Sequence, residues 1–185
     1  MTPIIDTQGL MIAYMAILIL AALQDLRSLR ISNLLSVALF LVSATAVVLH
    51  LPIGQWWEHL ASFIVVLGIG IVLFSRGWMG GGDVKLLAAS SAAYGIFNIL
   101  WLVTSVAIFG GIIALLVLLI RWIIPRSWVE ATGFKGLQKG NLIPYGLAIA
   151  AGAIASTVIA DRQAEPVTVL DQDPFAMGAG SESDE

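Results

Sequence analysis

Apolar residues in this chain come in long blocks with short polar punctuation between them, as expected of helices that are apolar on every side. The first block covers residues 9–24, with helix able to continue to Leu29. The second covers 34–50 and stops at Pro52 and Gly54, and the third covers 57–75. Residues 84–120 then form one apolar stretch. As a single helix it would be roughly 55 Å long, far beyond the ~30 Å of a bilayer core. A break at Gly95 and Asn98 divides it into two helices joined as a tight hairpin, and a last block covers 142–160. The pattern predicts an all-α polytopic membrane protein with about six transmembrane helices.

Composition agrees. The 185 residues are 59% hydrophobic and 11% charged, against about 25% charged in soluble domains. Charge then orients the spans. With six spans, Arg27, Arg30, Arg76, Lys85, Arg121, Arg126, Lys135 and Lys139 share one side, and only Arg162 lies opposite. Basic residues gather on the cytoplasmic face, so both termini are expected on the non-cytoplasmic side. Merging the fourth and fifth spans would strand Arg121, Arg126, Lys135 and Lys139 on the wrong face. No Lys or Arg precedes Arg27, so the first span reads as a retained helix and not as a cleaved signal.

Two regions follow: a transmembrane domain over residues 1–160 and a tail over 161–185. The tail carries seven acids and two prolines and buries too little apolar surface to offset its ordering entropy, so disorder is expected. The loop 128–140, with Glu130, Lys135 and Lys139, is the longest one expected on the cytoplasmic side. Cysteine is absent, which excludes a disulfide framework, a thiol nucleophile and a cysteine zinc site. Basic runs dense enough to grip nucleic acid are missing.

Charge inside the apolar pattern is confined to block edges, and two acids stand out. Asp25 closes the first block in Leu23-Gln24-Asp25-Leu26-Arg27. Asp83 follows three glycines in Met79-Gly80-Gly81-Gly82-Asp83-Val84-Lys85. An acid at a membrane boundary is a functional candidate whose partner must be named; here each acid is the obvious partner of the other. Two carboxylates that share one proton provide both the base that activates water and the acid that protonates a leaving group. The glycines permit unusual backbone angles and close approach of a second chain, which suits an extended substrate strand beside Asp83. The alternative is a flexible loop with an ordinary helix-capping Asp. Gly68, Gly70, Gly110 and Gly111 lie inside spans and read as helix-packing points. His50 and His59, with Trp56 and Trp57, read as an interfacial belt.

The segment Gly80-Gly81-Gly82-Asp83-Val84-Lys85-Leu86-Leu87-Ala88-Ala89 resembles the GxGD motif of type IV prepilin peptidases, with Gly80, Gly82 and Asp83 in the fixed positions. Asp25, followed by Arg30-Ile31-Ser32-Asn33, resembles that family's first-aspartate motif, although Ser32 stands where proline is usual and should loosen the turn. Ile143-Pro144-Tyr145-Gly146-Leu147-Ala148-Ile149-Ala150 resembles the segment that opens the family's last helix. Together the resemblance covers about residues 10–160. Larger members carry a cytoplasmic insert with paired Cys-x-x-Cys motifs. This chain has none, so it resembles the short peptidase-only form associated with Flp (tight adherence) pili.

The resemblance implies an aspartic endopeptidase of the bacterial inner membrane that cuts the short basic leader from a prepilin at the cytoplasmic face. Asp25 and Asp83 would be the catalytic pair, with no metal and no cofactor. Gly80, Gly81, Gly82, Lys85, Arg30 and Asn33 would position substrate or support the motifs; Lys85 by itself reads either as a cation that holds Asp83 ionised or meets lipid phosphate, or equally as a plain positive-inside anchor. Partners would be a Flp-type prepilin, the bilayer and pilus-assembly proteins. Two other classes remain open: a small proton- or cation-coupled transporter, whose acids should lie near mid-bilayer, and a non-catalytic pilus-assembly scaffold.

Overall fold

A computed structural model describes residues 8–123 and 145–164. Among them lie six α-helices: α1 (Gln8–Ser28), α2 (Asn33–His50), α3 (Trp56–Ser75), α4 (Gly81–Ser91), α5 (Ile99–Ile123) and α6 (Tyr145–Ala164). A 3-10 turn, Ile53–Gln55, leads into α3. Loop 128–140, the expected start of the last block at Leu142 and the chain beyond Ala164 lie outside the described residues. The described part is all-helical, as the block pattern predicts.

By length and composition, α1, α2, the segment Ile53–Ser75 and Ile99–Ile120 can each cross a bilayer, while α6 has a shorter apolar run, Tyr145–Ile159. The expected hairpin after Asp83 is unequal. Its first arm, α4, has 11 residues, about 16 Å, too few to span alone. A short helix is tolerable there because protein, not lipid, surrounds its end. Ile96 N–H donates to the Glu58 carbonyl at 3.1 Å, and His59 Nδ1 lies 3.0 Å from the Ala92 carbonyl, which it can only meet as a donor.

Helix α4 is the hub of the bundle. Val84, Leu86, Ala88, Ala89, Ser90 and Ser91 are all buried, and its neighbours reach it through hydroxyls. Tyr14 Oη of α1 donates to Ser90 O at 3.3 Å, Ser43 Oγ of α2 to Ala89 O at 3.3 Å, and Ser62 Oγ of α3 to Ser91 O at 3.0 Å. Just past α4, the Tyr94 hydroxyl bonds Ser156 Oγ and Thr157 Oγ1 of α6 at 2.7 and 3.0 Å. Such bonds hold helices together where lipid supplies no hydrophobic drive.

Small residues set the remaining crossings. A methyl group at Gly70 would stand 2.5 Å from Val84 Cγ1, so α3 lies flush on α4. Gly152 of α6 faces the Val106 backbone and Gly110 faces Ala148, which packs α5 and α6 antiparallel. Gly68 and Gly111 have open space around them, so only two of the four glycines expected to pack helices do so, and Gly152 joins them.

Candidate active site

One end of the bundle gathers the C-terminus of α1 with the N-termini of α2, α4 and α6. Each arrives there for a local reason. Helix α1 stops because Leu29 takes a left-handed conformation, φ 54°, with its N–H on Asp25 O at 2.8 Å. Helix α2 starts at Ser32, whose Oγ accepts the Leu34 N–H at 3.2 Å. The Ser32 N–H itself donates to Gln24 Oε1 at 2.9 Å. Proline offers neither the cap nor the N–H. Serine therefore ties the turn at both ends, where the sequence suggested a looser one.

Helix α3 ends in a Schellman arrangement, with Gly77 at φ 72°, its N–H on Phe74 O at 2.9 Å and Trp78 N–H on Leu73 O at 3.0 Å. That turn delivers Gly80 as the N-cap of α4. Left-handed backbone thus falls at Gly77 and not in the 80–82 run. Those three glycines are needed for close approach: their side-chain space is filled by Asp83 Oδ2 at 2.6 Å (Gly80), the Phe74 ring at 3.3 Å (Gly81) and Ile31 Cβ at 3.1 Å (Gly82).

Asp25 is buried, 4% exposed, in the last turn-and-a-half of α1. Its Oδ2 accepts the Gly146 N–H at 2.8 Å, and the Leu147 N–H also points at the carboxylate. The opening of α6, with its unpaired N–H groups, thus closes on this acid. Gly146 cannot carry a side chain, because a methyl would stand 2.9 Å from Asp25 Oδ2 and 2.6 Å from Ile31 Cδ1.

Asp83 sits in the first turn of α4 and accepts the Gly80 N–H, so it does cap its helix. It does more than cap. Burial first, and the charge of Asp25 second, push its carboxyl up from 3.8 to about 7. Each acid thus feels the other's charge from a separate helix, in a setting where burial already disfavours a second negative charge.

Ile31 was quoted in the sequence only as part of a motif. It proves to be the wedge of the site, touching Gly82 beside Asp83 and Gly146 beside Asp25. Ile31 and Gly146 could have been singled out only by knowing that three distant segments meet.

The other expected residues divide. Lys85 Nζ donates to Asn33 Oδ1 at 2.9 Å. Two residues from Asp83, it points about 200° away around α4, so it does not hold Asp83 ionised. Arg30 is exposed on the α1–α2 loop, where its carbonyl accepts from Ser28 Oγ at 3.1 Å.

With the geometry in hand, the comparison with known proteins is decisive. The type IV leader peptidase family profile matches residues 12–115, more than half of the chain and both acids included. The chain belongs to the type IV leader peptidase family. No curated protein and no solved structure matches it. Membership makes this multi-pass membrane protein a peptidase of the prepilin-processing type, with a prepilin as its class of substrate.

Proposed function

We propose that this leader peptidase is an aspartic endopeptidase that removes the short basic leader of a Flp-type prepilin at the cytoplasmic face of the inner membrane. One observation carries the reading: a buried Asp25 and a first-turn Asp83 arrive from separate helices, and burial first, with the charge of Asp25 second, raises the Asp83 carboxyl to about 7. One carboxylate takes a proton from water as it attacks the peptide carbonyl, while the other gives its proton to the carbonyl oxygen; on collapse the first passes the water's proton to the leaving amine and the second takes its own back from the hydroxyl. The coupled pair titrates as a unit, so the roles belong to the pair.

Position favours this over ion transport. Asp25 is the fourth residue from the end of α1 at Ser28 and Asp83 the third residue of α4, which starts at Gly81, whereas a relay acid belongs at mid-bilayer. The cytoplasmic orientation rests on the basic residues Arg27, Arg30, Arg76 and Lys85 at that end. The Flp assignment rests on the absence of cysteine. Pilus-assembly proteins would be further partners at the same face.

The test is co-expression with a Flp-type prepilin, scored by gel shift and N-terminal sequencing of the product. Wild type should cut once, between leader and apolar segment. Asp25→Asn and Asp83→Asn, at matched membrane levels, should not cut. Cleavage by either variant at the wild-type rate would remove that acid from the chemistry.

A further inference from the structure

A cleft of about 400 Å³ opens between α2, α3 and α4, away from the two acids. Ala88 and Ala89 of α4 form its floor, with Ser36 and Val37 on one wall and Leu67 on the other. The Lys85–Asn33 bond bounds it at the aspartate end. At the other end Phe40 and Phe63, ring centroids 4.8 Å apart, close it. From Asn33 to Phe40 is two turns of α2, about 10 Å. Such a volume sits within the range of roughly 300–1,000 Å³ seen for ligand pockets.

One residue on the wall of this apolar cleft has a hydroxyl without a partner. Ser36 is 6% exposed, and its Oγ is the one buried side-chain polar atom left without a hydrogen bond among the described residues. The hydroxyls deeper in the bundle are answered, Ser43, Ser62 and Ser90 among them. A buried hydroxyl without a partner is costly and calls for an explanation. A lipid acyl chain would fill the cleft but brings no donor. The first turn of a helix brings up to four unpaired N–H groups, which find no acceptor in lipid.

We propose that the cleft seats the first two turns of the apolar segment that follows the cut in the prepilin, with Ser36 Oγ accepting an N–H from that segment's opening turn. This rests on the prepilin reading above and adds where the uncut part of the substrate is held. The direction fits: the Lys85–Asn33 pair marks the aspartate end, and the segment would pass it and run by Ser36 toward Phe40 and Phe63. Asp83 and Lys85 point to opposite sides of α4. The chain must therefore cross the N-terminus of α4, one helix width of about 10 Å, to reach the acids. Three extended residues cover that distance at ~3.3 Å each. The scissile bond thus lies about three residues ahead of the turn seated at Ser36.

The absence of cysteine makes the test clean. V37C and L67C, each paired with single cysteines stepped through the first two turns of the prepilin's apolar segment, should form disulfides in membranes. I108C, exposed on α5, should not. Ser36→Ala should raise KM for prepilin about tenfold, equivalent to one interaction of ordinary strength, with kcat within about twofold. Its Tm should not fall, because the substitution removes an unpaired group. Val37→Trp, filling the cleft from an exposed position, should also raise KM. Unchanged KM in both variants, or cleavage by V37C without any cross-link, would give the cleft to lipid and overturn the proposal. A wild type that cuts no prepilin would sink the functional reading itself, and this one with it.

Discussion

Helices α4 and α5 leave the same turn, and hydropathy alone draws them as one stretch, yet they live in different solvents. More than half of α4 is buried, including the unbroken run from Ala88 to Ser91, and Leu86 is fully enclosed. Along α5, Leu100, Ile108, Ile112, Leu115 and Leu118 are half or more exposed, as a helix facing lipid should be. The lesson is that an apolar run reports how little water a segment meets, not whether lipid or protein replaces it. In α4 the difference is visible in small residues and serines, which let four helices crowd around it and give their hydroxyls carbonyls to meet.

The sharpest way to break this comparison is at the start of α4. Asp83→Asn should cut prepilin processing by about 10²–10⁴-fold, the usual range for a group that moves protons, without lowering the amount of protein in the membrane. Next comes packing. Leu86→Ala should cost about 2–5 kcal/mol, while Leu115→Ala, 68% exposed on α5, should stay within about 0.5 kcal/mol. Thermal unfolding in detergent reads both, and equal losses would mean that α4 is not the hub.

A smaller contrast compares two glycines. Gly70→Ala should cost about 1–3 kcal/mol by driving α3 off Val84. Gly111→Ala on α5 meets open space and should be neutral or slightly stabilising.

pH gives a further handle on the same helix. Because the Asp83 carboxyl is raised from 3.8 to about 7, the folded protein holds a proton that the unfolded chain has released. Stability should therefore fall as pH rises from about 4 to 7 and level off above. Asp83→Asn should flatten that slope, and cleavage by wild type should decline above about pH 7 as the shared proton is lost. A modest gain is expected at the end of α1: Leu29→Gly relieves a left-handed leucine and should add about 1 kcal/mol.

How far the sequence speaks can be judged residue by residue. Helix positions were legible because the apolar blocks are long and the punctuation at Pro52, Gly54, Gly95 and Asn98 is strong. Asp25 and Asp83 were legible because acids are scarce in such a chain. The shortness of α4 was not legible, since its buried end looks as apolar as a lipid-facing one. Nor was the work done by Ile31 and Gly146, which exists only once the α1–α2 loop, α4 and α6 converge. The close approach expected of the glycines before Asp83 was legible, but not that Phe74, Ile31 and Asp83 itself are what come close.

The bond from Gly146 N–H to Asp25 spans 121 positions of sequence. During synthesis, Asp25 enters the membrane long before the amide that receives it has been made. Helices α1 to α4 can assemble and bring both acids into the same region, but the site stays incomplete until the last helix arrives. A chain that stops short of α6 therefore carries both aspartates without the amide that Asp25 accepts from.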